Sequence, residues 1–131
     1  MTTNQPHRKK LKVELYEKNG KTSSFIYAEI DDKGDLVVSG QDVGEAPFEI
    51  WGDSDYEYWL RVVTENKDRV LNALIEHCNQ VGASVPSVSR NKDKALLALL
   101  KQVYGGHSSA FEQFRRFCKR KGIPTEFSSY V

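Results

Sequence analysis

The chain is poor in the residues that usually carry chemistry. Its two cysteines, Cys78 and Cys118, are too few and too far apart for a disulfide framework or a Cys-x-x-Cys zinc site. Each falls on an apolar helix face, which reads as a buried free thiol. Of the three histidines, His7 lies in a polar N-terminal stretch, His77 sits beside Cys78, and His107 occupies a Gly-Gly-His-Ser turn. A thiol nucleophile needs a base within reach. His107 and Cys118 are separated by about three helical turns, roughly 16 Å at 1.5 Å per residue, so they do not pair within one helix. No Gly-rich phosphate loop, Walker pattern or dinucleotide fingerprint is present. The sequence therefore gives no catalytic constellation, and neither a cofactor nor a metal is expected. No apolar run approaches the roughly 18 residues of a membrane span. The polar, basic start has no apolar core of the signal-peptide kind, so the expectation is a cytoplasmic protein with no membrane partner.

What the chain does have is charge of both signs, unevenly placed. The net charge is +1, yet from Val13 to Glu57 twelve Asp and Glu face three Lys and Arg. Arg8, Lys9, Lys10 and Lys12 precede that stretch. Arg115, Arg116, Lys119, Arg120 and Lys121 cluster near the other end against Glu112 alone. Such asymmetry bears on partners and association rates rather than on fold.

Hydrophobic periodicity divides the chain into a strand-rich half and a helix-rich half. Leu11, Val13 and Leu15 alternate with charged residues as in a half-buried strand. Asn19-Gly20 is a hairpin signal, because both turn positions favour positive φ. Thr22 to Ile30 returns as a second strand, Asp31-Asp32-Lys33-Gly34 forms a turn, and Leu36 to Val38 is a third strand. Gly40, Gly44 and Pro47 predict a loop over residues 40–54. Tyr56 to Val63 reads as a fourth strand. It is large on both faces and so is central or covered on both sides. The period then changes. A helix capped by Thr64 or Asn66 carries Val70, Leu71, Leu74, Ile75, Cys78 and Val81, and ends at Gly82. Asn91 caps a second helix, with Ala95, Leu96, Leu99, Leu100, Val103 and Tyr104 on its buried stripe. Ser109-Ala-Phe-Glu112 is a capping box for a third, which buries Phe111, Phe114 and Phe117 or Cys118. The tail from Ile123 keeps Phe127 and Tyr130 and is expected to pack back on the body. The economical architecture is a single α+β domain over residues 10–131, behind a flexible basic arm over residues 1–9. A four-stranded antiparallel meander is followed by three helices packed on one face.

Two surfaces compete for function. The segment Trp51-Gly-Asp-Ser-Asp-Tyr-Glu-Tyr-Trp59 joins the two halves and concentrates aromatics and acids. Asp53, Asp55 and Glu57 form an acidic edge suited to a basic protein partner, with Trp51 or Tyr56 as the anchor, since aromatics dominate interface hot spots. The same alternating carboxylates lack the glycine and terminal glutamate of a calcium loop. The alternative is nucleic acid on the basic third helix, where Arg115, Arg116 and Lys119 share a side at spacings of three and four and Arg120 extends it. A third class, a small enzyme, would need acids converging on His77 or His107.

The segments Trp51 to Trp59, Leu96-Leu97-Ala-Leu-Leu100 and Gly122-Ile-Pro-Thr-Glu-Phe-Ser-Ser-Tyr-Val131 resemble those of small bacterial proteins with no assigned activity. The resemblance covers most of the chain from the first strand onward and implies a bacterial cytoplasmic origin. In size and acidic surface the chain is also similar in style to immunity proteins of bacterial toxin systems. The reading is therefore a non-catalytic protein-interaction domain, of immunity- or antitoxin-like kind.

Overall fold

The computed structural model describes residues 11–45, 55–87 and 91–130. The basic arm expected over residues 1–9, and the part of the expected loop from residue 46 to 54, lie outside them. Five strands form one antiparallel sheet in the order β1-β2-β3-β4-β5: β1 (Lys12–Lys18), β2 (Thr22–Ile30), β3 (Leu36–Gly44), β4 (Asp55–Val62) and β5 (Glu126–Tyr130). A 3-10 turn over Thr64–Asn66 leads into α1 (Lys67–Gln80), followed by α2 (Lys92–Tyr104) and α3 (Ala110–Arg120). None of these helices is long and apolar enough to cross a membrane.

The α+β architecture with an antiparallel sheet and three helices matches the sequence expectation, but the sheet has a fifth strand. The tail does return to the body, and it does so as β5, pairing Leu60 with Phe127 and Tyr58 with Ser129. It was invisible as a strand because Glu-Phe-Ser-Ser-Tyr carries only two apolar residues and no β-branched run. Backbone pairing to β4 supplies what its side chains do not. With β3 on one side and β5 on the other, β4 is an interior strand.

The period-2 alternation of each strand divides the sheet into two faces. One carries Leu15, Ile26, Ala28, Ile30, Leu36, Val38, Leu60 and Val62. These form a single cluster with Val70, Leu71, Leu74 and Cys78 of α1, Leu96, Leu99 and Leu100 of α2, and Phe111, Phe114, Phe117 and Cys118 of α3. Both thiols are free and buried there. Val81, expected on the apolar stripe of α1, lies past the helix end and is 63% exposed. β1 departs from strict alternation: Glu14 faces Tyr27 and Tyr16 faces Ile26, so Leu15 is the extra residue of a bulge. The bulge is fixed from the helical layer, because the Gly106 N–H donates to the Leu15 carbonyl at 2.7 Å.

Helix ends follow the cap chemistry in part. The Asn91 side chain accepts from the Lys94 N–H at 3.1 Å, as expected. Gly82 and Gly122 take positive φ and close α1 and α3 with the six-to-one bonds Ala83 N–H to Cys78 and Ile123 N–H to Cys118. The capping box on α3 does not form. Ser109 makes no side-chain cap, its hydroxyl accepts from the Gln113 amide at 2.6 Å, and Glu112 faces Arg116 at 3.8 Å. Nor does Asn66 cap α1. Instead Asp35, reaching from the turn between β2 and β3, accepts from both the N–H and the hydroxyl of Thr64 at 2.8 Å each.

Two glycine expectations need correction. The β1–β2 hairpin forms, but Gly20 is not among the residues with positive φ, and the connection is longer than a two-residue turn, with Lys18 opposite Ser24. At the other site, Gly40 was expected to end β3, yet the strand continues to Gly44. Gly40 lies directly opposite Tyr58, whose ring covers it so closely that an added Cβ would stand 2.1 Å from ring carbons. The aromatic ring fills the space the missing side chain leaves. Gly40→Ala is therefore expected to cost about 1–3 kcal/mol by overpacking, read by chemical denaturation. Combined with Tyr58→Ala it should cost less than the sum of the single changes, since the clash is with that ring.

Candidate functional site

β4 presents two surfaces. Asp55, Glu57, Trp59 and Arg61 alternate onto the face opposite the core, while Tyr56, Tyr58, Leu60 and Val62 point to the helical side. Within the proposed acidic site this parts Tyr56 from Asp55 and Glu57. Trp51 and Asp53 lie outside the described residues.

On the outer face the register aligns rows of side chains across strands. Tyr27, Ser39, Trp59 and Ser128 form one row; Phe25, Gln41, Glu57 and Tyr130 form the next; Glu29, Val37, Arg61 and Glu126 a third. Phe25 and Tyr27 stack with ring centroids 6.4 Å apart. Val37 is buried on this face beside Trp59, outside the main core cluster. A hollow of about 320 Å³ opens among Val37, Trp59, Arg61, Glu126 and Ser128. Among the described residues six carboxylates share the face (Glu14, Glu17, Glu29, Asp55, Glu57 and Glu126) with two cations, Lys12 and Arg61. Lys12 lies over the Tyr27 ring at 4.4 Å. Burial, then the charges of Glu17 and Glu14, push the Tyr27 hydroxyl pKa up. Trp59 and Tyr27, near the middle of this face, were not singled out as binding residues from sequence. The strand period could have paired them with Glu57, because Trp59 lies two residues on.

Arg61 contributes little free positive charge. Its guanidinium bonds Asp31 and, at 2.9 Å, Asp35, and those carboxylates anchor the β2–β3 turn and the start of the 3-10 turn. Asp31 also accepts from the N–H groups of Lys33 and Asp35 at 3.0 Å each. Burial alone would raise the Asp31 carboxyl, but the Arg61 bond and the two backbone donors outweigh it and hold it below the ordinary range. The Thr64 hydroxyl does most to lower Asp35.

The basic helix does not present its cations as one set. Arg115 turns toward the sheet, its guanidinium carbon 4.1 Å from the centroid of the Phe127 ring. Arg116, Lys119 and Arg120 are exposed, with Arg116 3.8 Å from the Glu112 carboxylate. Arg116 and Arg120 border a hollow of about 320 Å³ with His77, Tyr104 and Phe117. His77 is set edge-on to Phe117 at 6.2 Å, and no acid lines that hollow. Among the described residues no three His, Cys, Asp or Glu side chains converge on a metal-binding point.

A third surface was not legible in the sequence. Where the first turn of α3 meets the ends of β3, β4 and β5, a cleft of about 310 Å³ is lined by Asp42, Tyr56, Tyr58, Ser108, Ser109, Phe111, Glu112, Arg115 and Phe127. Tyr58 meets Phe111 edge-on at 4.7 Å and Tyr56 at 5.4 Å. Asp42 accepts from the Ser24 hydroxyl at 2.8 Å. Burial, then the nearby Asp42 carboxylate, push the Tyr58 pKa up to about 12, so it remains a neutral phenol at neutral pH.

No protein-family model, curated protein or solved structure matches the chain.

The Arg61 network makes a pH prediction. Asp31 and Asp35 have folded pKa values below their unfolded ones. Their contribution is therefore present above the unfolded carboxylate pKa, about 4, and is lost as pH falls through the lower folded values. Arg61→Met should lower the thermal midpoint at neutral pH, and the gap to the parent protein should narrow below about pH 4. A gap of constant size across that range would contradict this account.

Proposed function

We propose that the protein is a non-catalytic interaction domain that binds a basic protein partner through the outer face of its sheet, in the manner of an immunity- or antitoxin-like inhibitor. The observation that carries the reading is the composition of that face. Among the described residues six carboxylates surround a half-buried aromatic centre of Phe25, Tyr27 and Trp59, and one of the two cations beside them, Arg61, is already held by two aspartates outside the set. Asp55 and Glu57 belong to this surface, together with Glu29 and Glu126 and the Trp59 ring. Tyr56 faces the other way and takes no part. Aromatic side chains give contact area at low entropic cost, and a rim of one sign steers an oppositely charged partner and fixes its register.

Nucleic acid on α3 is the weaker reading. Of its four cations Arg115 turns toward the sheet onto Phe127 and away from the outer side of the helix, and the exposed Arg116 lies 3.8 Å from the Glu112 carboxylate, so a phosphate backbone would meet three cations with an acid beside one of them.

Affinity capture from the native host's extract, with and without nuclease, tests the choice by mass spectrometry. The expected result is one stoichiometric basic protein that survives nuclease. Its affinity should fall at least about tenfold in the Asp55→Lys/Glu57→Lys protein while circular dichroism is unchanged. A partner retained at full affinity by that variant would refute the sheet-face reading. Recovery that collapses with nuclease and falls steeply with salt would transfer the function to α3.

A further inference from the structure

The cleft between α3 and the sheet lies on the helical side of β4, away from the proposed protein-binding face, and it combines three features that are seldom found together by packing alone. The first is an aromatic lining. Tyr58 lies across Gly40 and meets Phe111 edge-on, and Phe111 in turn meets Phe127 at 6.1 Å. Tyr56 completes the lining. Phe127 is 41% exposed, so apolar surface remains uncovered along this open cleft.

The second feature is a carboxylate on the sheet wall. Asp42 is held by one cross-strand hydroxyl, that of Ser24 directly opposite. A carboxylate offers about four acceptor sites, so this one neutral bond leaves most of its capacity unused among the described residues. The third is positive potential on the helix wall. Arg115 lies over the Phe127 ring with no carboxylate partner among the described residues. Beside it the first turn of α3 lines the cleft; there the Ala110 N–H is taken by the His107 carbonyl at 3.0 Å, while the Ser109 hydroxyl, engaged by Gln113, does not cap the N–H groups that follow. Uncapped first-turn amides favour an anionic group.

A pure cation would be repelled by Arg115, and a pure anion by Asp42 and by Glu112 at the rim. We propose that the cleft binds a small α-amino acid with an aromatic side chain. Its ammonium group bonds Asp42, its carboxylate bonds Arg115 and the first turn of α3, and its ring packs among Tyr56, Tyr58, Phe111 and Phe127. The volume, about 310 Å³, is at the lower end of the range for ligand pockets, which suits a single residue rather than a nucleotide or longer peptide. The phenol of Tyr58 beside Asp42 supplies a neutral hydrogen-bonding group that does not ionise under the same conditions.

Three probes separate the components: L-phenylalanine, phenethylamine, which lacks the carboxylate, and 3-phenylpropionate, which lacks the ammonium. Each is titrated into the full chain and followed by two-dimensional amide NMR. L-Phenylalanine is expected to bind in the roughly micromolar to millimolar range and to shift amides of residues 42, 56–58 and 108–112. Each one-ended probe should bind at least about tenfold more weakly, the scale of one charge-assisted hydrogen bond. Arg115→Gln should weaken L-phenylalanine while sparing phenethylamine, and Asp42→Asn should weaken it while sparing 3-phenylpropionate. Free spectra that keep the parent's dispersion establish that both variants fold. No binding of L-phenylalanine at roughly millimolar concentration, equal binding of all three probes, or tighter binding of phenethylamine than of L-phenylalanine would each overturn the proposal. None of these outcomes bears on capture of a protein partner by the sheet face, so the two readings stand or fall separately.

Discussion

The two-residue period of β4 is the constraint on which the rest of the molecule depends. Paired on both edges, the strand cannot slip by one residue without exchanging its faces. Such a slip would put Asp55, Glu57 and Arg61 into an apolar core and bring Tyr58, Leu60 and Val62 into water. Register is thus specified by the cost of burying charge, which greatly exceeds the cost of exposing any single apolar side chain. Both candidate surfaces inherit their composition from it. The outer face receives the acids and Trp59; the inner face passes from core at Val62 and Leu60 to cleft at Tyr58 and Tyr56 as the helices run out.

β5 makes this arrangement close. It follows the three helices in sequence, so its pairing with β4 is the most non-local of the four strand pairings. Phe127 then serves two structures at once. Its backbone extends the sheet opposite Leu60, and its ring forms the wall on which Arg115 rests. The same residue that finishes the sheet also takes one cation out of the basic helix, which is why α3 looks more like a polyanion-binding element in sequence than it does in three dimensions.

The parts of the fold that were legible in the sequence rest on local rules. The caps at Asn91, Gly82 and Gly122 and the spacing of apolar residues on α1, α2 and α3 are set within a few residues of each other, so composition and period suffice. The misses share the opposite character. Gly40 reads as a breaker unless Tyr58 is known to lie across from it. Glu126 to Tyr130 reads as a tail unless β4 has a free edge. The capping box at Ser109 and Glu112 matches its pattern, yet Gln113 and Arg116 compete for the same two side chains one turn later. The acidic stretch was legible as composition but not as a face, because Tyr56 and Glu57 are neighbours in sequence and are on opposite sides of a strand. The cleft had no local signature at all. Asp42, Tyr58 and Arg115 come from three elements and meet only through β3–β4 register and the docking of α3.

The formal charge of +1 is for the same reason a poor guide to how the molecule meets others. The acid-rich stretch builds the sheet and the basic stretch builds α3, so folding converts asymmetry along the chain into asymmetry across two layers. A helix is about 10 Å across with its side chains, which is close to the Debye length of about 8 Å at physiological ionic strength. Lys119 and Arg120, on the exposed side of the helical layer, therefore do little to offset the six carboxylates felt by a partner approaching the sheet. The near-neutral total is thus the sum of an acidic sheet face and a helical layer in which cations outnumber acids.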